Sequence, residues 1–124
     1  MIEISITRGS SVRGETRGNY PPLDLFECGN SLVLIVELPG VSPDDIIVKI
    51  YENVLTIEGV KKDPAPEGGR YICVEREFSR FRRSVSLPVR ADPEKGVARM
   101  KNGILRITLP IQEERVHKIK IIKE

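Results

Sequence analysis

Apolar residues recur along this chain in short runs, each cut by turn chemistry. Ile46, Val48 and Ile50 fall two apart, which is the period of a strand with one buried face. Glu52-Asn53 follows as a tight turn, and Leu55 and Ile57 then repeat the same alternation. Read this way, the sequence predicts strands over 23–27, 31–38, 45–51, 54–59, 70–75, 81–87, 97–100 and 104–109. The stops between them are Gly29-Asn30, Pro39-Gly40, the Pro- and Gly-rich stretch 61–69, Pro88, and Asn102-Gly103, an Asn-Gly hairpin signal. No segment of ten or more residues keeps a clear helical period. Short strands spaced by turns in this manner predict an all-β, antiparallel β-sandwich.

The two ends read differently. Ile2, Ile4 and Ile6 alternate with polar residues, but 8–22 is mostly Arg, Gly, Ser, Asn and Pro. Such a stretch buries too little apolar surface to offset its ordering entropy. The division expected is a flexible N-terminal arm over 1–22, a compact domain over 23–110 and a C-terminal extension over 111–124. That extension is polar until Ile119-Lys120-Ile121-Ile122. Ile119 and Ile121 point the same way in extended backbone, which fits a last strand of the home domain or a segment docking on another chain. Ile2-Glu3-Ile4 and Ile4-Ser5-Ile6 have the same chemistry. They fit a short strand on the domain's own sheet, or a competitor for whatever groove receives the tail.

Composition narrows the function. Lys and Arg total 20 against 18 Asp and Glu, and a net charge of +2 gives nucleic acid little to hold. The longest apolar run, Leu32–Val36, is far short of a bilayer span of ~20 residues. No secretory pattern opens the chain, which points to a cytoplasmic home. One histidine, His117, and two cysteines, Cys28 and Cys73, make no ligand cluster and no disulfide framework. Both cysteines are expected as small buried apolar residues and His117 as solvated. Walker, G-x-S-x-G and G-x-G-x-x-G motifs are absent. No enzyme, cofactor or metal is implied.

Several segments together resemble the α-crystallin domain of the small heat shock proteins. Ala98-Arg99-Met100-Lys101-Asn102-Gly103-Ile104-Leu105 has that family's A-x-x-x-N-G-x-L hairpin, closed by Thr108-Leu109-Pro110. Leu38-Pro39-Gly40 with Asp44-Asp45-Ile46 matches a second segment. Phe81, Arg83, Leu87 and Pro88 fit F-x-R-x-x-x-L-P, and Ile119-Lys120-Ile121 looks like the family's I-x-I tail. The resemblance implies an immunoglobulin-like sandwich, a homodimer building block with higher homo-oligomers, and ATP-independent holding of partly unfolded client proteins. It selects docking on a neighbouring chain for Ile119 and Ile121, with Ile46, Val48, Ile50 and Val97 as the receiving groove. It also places Leu25, Tyr71, Ile72, Cys73 and Arg83 at a dimer interface, where strand 70–75 crosses to the partner's strand 23–27. Arg76, Arg80, Arg82 and Arg83, interleaved with Glu75 and Glu77, are then expected to ion-pair across that interface. Cys28 and Cys73 could be joined between subunits if register brings their Cα atoms within about 7 Å. Neither a membrane nor nucleic acid is an expected partner. The alternative is a CS-domain-like co-chaperone or adaptor that binds one defined partner; that group lacks the I-x-I tail and the exchanging loop strand.

Overall fold

Leu32, Leu34 and Val36 turn inward along one extended run, and the register sets them opposite Leu109, Ile107 and Leu105. All six are almost fully buried, and this pairing is the centre of the fold. The computed structural model describes residues 4–5, 19–113 and 116–124. Its strands are β1 (Ile4–Ser5), β2 (Leu23–Cys28), β3 (Ser31–Glu37), β4 (Ile46–Tyr51), β5 (Val54–Val60), β6 (Arg80–Ser86), β7 (Val97–Lys101) and β8 (Ile104–Pro110). Every neighbouring pair is antiparallel. They form two four-stranded sheets, one ordered β1-β6-β5-β4 and the other β2-β3-β8-β7. Among the described residues there is no α-helix, only short 3-10 turns at Pro43–Asp45 and Pro93–Lys95. This is the all-β antiparallel sandwich that the alternation predicts.

Three rows cross the inner face of the first sheet. Ile50, Leu55 and Val85 make one, Val48, Ile57 and Arg83 the next, Ile46, Gly59 and Phe81 the third. Gly59 is small because nothing else fits. A Cβ there would sit 2.3 Å from the Asp45 carbonyl oxygen and 2.8 Å from the Phe81 ring. Gly59→Ala is therefore expected to destabilise the domain by about 1–3 kcal/mol or more, because main chain or a packed ring has to move. Chemical denaturation measures this directly.

The turns follow their residues. Asn102 and Gly103 both have positive φ, as the hairpin needs. Gly103 also touches Pro39 closely, and its carbonyl accepts the Leu38 N–H at 2.7 Å. The Asn-Gly hairpin and the Leu-Pro-Gly segment thus meet in space. Glu52 and Asn53 likewise take positive φ. Asn53 does more than turn: its amide donates to the Leu87 and Val89 carbonyls at 3.3 and 2.9 Å and accepts from the Ala91 N–H at 3.2 Å.

Two expectations need correction. Arg70–Glu75 forms no ladder; 61–79 is irregular throughout, because strand-like residues without a neighbouring strand have nothing to pair with inside one chain. Cys28 and Cys73 are exposed rather than buried: Cys28 ends an edge strand on its outward face, and Cys73 lies in the open loop. Ile4 and Ser5 pair opposite Val85 and Ser84, as the own-sheet reading of the N-terminal isoleucines expects, while Ile2 and Ile6 lie outside the described residues. Residues 6–18, most of the expected arm, lie outside the described residues. Its last residues pack on the domain: Pro21 is fully buried and the Tyr20 ring meets Phe81 edge-on at 5.8 Å between centroids.

Candidate assembly surfaces

Each sheet ends in two edge strands. The segment leading into β2 packs on β6, so β2 lies on the flank of β1 and β6, while β4 and β7 lie together on the other. On the second flank Ile46, Val48 and Ile50 are half-buried, facing inward against the core. From β7, Met100 faces the same interior, opposite Leu105. Val97 does not join them. It pairs with Thr108 and belongs to an outer-face row running Phe26, Val33, Thr108, Val97. The structure brings three of the four expected groove residues together and sets Val97 on the opposite face of its strand. A cavity lined by Ile50, Asn53, Arg90, Ala91 and Gln112 opens where the tail leaves the domain.

Ile119 and Ile121 are 87% and 92% exposed, and neither pairs with a strand. The home-domain reading of the tail does not hold within this chain. Ile72 is 97% exposed, and Tyr71, Cys73 and Val74 lie beside it at the surface. The Tyr71 hydroxyl donates to Asp63 Oδ1, which holds the Asp63 carboxyl below its ordinary pKa and raises the tyrosine. Leu25 is half-buried on the free edge of β2.

Arg83 is 5% exposed and faces the interior opposite Ile57. It has no carboxylate partner among the described residues. Instead Nη1 donates to the Pro21 and Asn19 carbonyls at 2.6 and 3.1 Å, and Nε has no partner. Burial lowers its pKa, yet a guanidinium stays charged in proteins. The other arginines disperse as well. Arg82 pairs with Glu58 at 3.6 Å, Glu58 also holds Lys49 at 2.9 Å, and Arg76 lies over the Phe78 ring. Those ion pairs are partly solvated and contribute about 0.2–1 kcal/mol each. Sequence reasoning missed the carbonyl clamp of Arg83 and the triple contact of Asn53. The signals available were a lone arginine at an inward strand position and an asparagine at a hairpin turn.

Among the described residues no three His, Cys, Asp or Glu side chains come together as metal ligands, and no helix is long and apolar enough to cross a membrane. The surfaces on offer are strand edges and exposed apolar side chains. The chain belongs to the Hsp20/alpha crystallin family, whose model matches residues 24–123. It is 42% identical over 103 residues to small heat shock protein C4 of Rickettsia felis, covering 82% of this chain and 63% of that one. Small heat shock protein C2 of the same organism is 39% identical over 95 residues, 76% of this chain and 62% of that. The chain thus spans a little under two thirds of these relatives. Heat shock protein 16.0 from Schizosaccharomyces pombe superposes with a TM-score of 0.71 at 32% identity, covering 84% of this chain and 82% of that one. A small heat-shock protein from Xylella fastidiosa, whose crystal structure reveals a distinct high order structure, gives 0.67 at 28% identity, with 84% and 96% covered.

Proposed function

We propose that the protein is an ATP-independent holdase of the cytoplasm, working on partly unfolded proteins and not on nucleic acid or membrane. Its building block is a dimer in which residues 70–75 cross to the partner's β2. Dimers are clipped together by Ile119 and Ile121 in the groove lined by Ile46, Val48 and Ile50. One observation carries this reading: Ile72, Ile119 and Ile121 stand almost wholly in water, and the outer edges of β2, β4 and β7 have no strand partner among the described residues. Exposed apolar groups of this kind mark interaction sites, and unpaired edges accept extended segments. The same surfaces, when uncovered, hold apolar stretches of a client away from other clients.

The test is light scattering from a heat-unfolded model protein with this protein added and no nucleotide present. Scattering is expected to fall in proportion to the amount added. A monomer that leaves scattering unchanged would favour the adaptor reading. Ile72→Pro removes a ladder donor and fixes φ in the crossing segment. It is expected to run as a monomer in native mass measurement; a persistent dimer would exclude the crossing.

A further inference from the structure

We infer the register of the crossing strand: Leu23, Leu25 and Glu27 of one protomer lie opposite Val74, Ile72 and Arg70 of a second copy, antiparallel. This rests on the strand-crossing dimer proposed above and adds which residues meet.

Hydrogen bonding of β2 sets the phase. Glu37 N–H donates to the Pro22 carbonyl at 3.0 Å, and Leu23 stands opposite Val36. Residues 22, 24, 26 and 28 therefore spend their main-chain groups on β3. Leu23, Leu25 and Glu27 direct theirs to the free edge, because bonded and non-bonded pairs alternate along an antiparallel ladder. Leu23 and Leu25 also face the core side, while Asp24, Phe26 and Cys28 face outward. In the arriving segment Ile72 and Val74 are the apolar phase, and Tyr71, Cys73 and Glu75 the other. Burying Ile72 and Val74 requires them to match Leu23 and Leu25.

Side-chain chemistry then picks one pairing. With Leu25 opposite Ile72, Leu23 meets Val74, Phe26 meets Tyr71 on the outer face, and Glu27 meets Arg70. Apolar, aromatic and opposite-charge pairs each contribute favourably across strands. A shift of two residues one way sets Ile72 against Glu27 and Glu75 against Asp24, two like charges. A shift of two the other way sets Arg70 against Leu25. The parallel arrangement sets Arg70 against Leu23 and Val74 against Glu27. Giving up the exposed Tyr71–Asp63 hydrogen bond costs little, since water replaces it.

The register has a consequence for the thiols. Cys73 falls opposite Asp24, and Cys28 opposite Gly69. The two native cysteines are then four residues out of step, ~13 Å along a strand, too far for a disulfide. Asp24 and Cys73 form a non-bonded pair instead, with Cα atoms ~4.5 Å apart, within disulfide range.

The experiment compares three full-length chains: wild type, Asp24→Cys/Cys28→Ser and Phe26→Cys/Cys28→Ser. Each is treated with oxidised glutathione, which takes two electrons from a thiol pair and leaves as two reduced thiols. The products are separated on a non-reducing gel, and native mass is measured in parallel. Asp24→Cys/Cys28→Ser is expected to run mostly as a covalent dimer, reversed by dithiothreitol and abolished by adding Cys73→Ser. Wild type and the Phe26 variant are expected to give at least tenfold less. Cross-linking through Cys73 in either of those chains instead overturns the register and leaves the crossing intact. No cross-link in any chain, whether the native mass is monomeric or dimeric, overturns the crossing itself. Asp24 and Phe26 are both exposed on an edge strand, so folding is not at stake in either variant.

Discussion

A chain carrying Ile119→Ala and Ile121→Ala is expected to run as dimers where the wild type forms larger assemblies. Burying two isoleucine side chains contributes about 3–6 kcal/mol. Association costs about 4–15 kcal/mol, so a single tail in a groove exchanges readily. Several tails in one closed assembly reinforce each other through effective concentration, and removing the apolar area from all of them removes the reinforcement. The linker Gln112–Lys118 reaches up to ~23 Å when extended, enough to leave the home domain. Because both isoleucines are exposed in the single chain, the domain's own stability should change by less than about 0.5 kcal/mol. Native mass and chemical denaturation, measured on the same sample, check the two halves. An unchanged mass would remove the tail from the assembly.

Arg83→Ala is expected to cost the domain about 3–5 kcal/mol, enough to unfold a marginal fold. Two carbonyls, of Asn19 and Pro21, would be left buried without a donor, at about 1–3 kcal/mol each, beside the void left by a large side chain. The cost should appear in the unfolding free energy of the dissociated protomer, measured at a dilution where no dimer remains. A pure interface role would instead leave that quantity alone and raise the dimer dissociation constant. Arg82→Ala is the control, since its partner Glu58 is solvated and the loss should stay under about 1 kcal/mol. A change at Arg83 no larger than at Arg82 would show that the carbonyl clamp does not hold the fold.

Alternation and turn chemistry made the sandwich legible because one face of each strand is buried and glycine, asparagine and proline mark the reversals. The ends of β4, β5, β7 and β8 fall within a residue of where the pattern puts them. Cys28 misled because burial depends on which face of an edge strand a residue takes, and Cys73 because it lies in an open loop; composition carries neither. Val97 lies three residues from Met100, an odd number of steps that sets the two on opposite faces of β7. The segment 70–75 has the residues of a strand, but no strand of its own chain lies alongside to pair with it. Arg83 was expected at an interface with an ionic partner, and its clamp was not legible, since its acceptors are main-chain carbonyls some sixty residues away.

The two flanks of the sandwich also set a connectivity. With β2 on one side and β4 and β7 on the other, a crossing partner and an incoming tail never compete for space. A dimer joined through β2, as proposed above, would offer four links, two tails to give and two grooves to fill. Four links per unit permit closed assemblies, and whether they close would follow from the angle at which each tail leaves Pro110. Strengthening one kind of link leaves the other unchanged. The mass of the assembly and the lifetime of its dimers can then drift apart under selection without a change to the core.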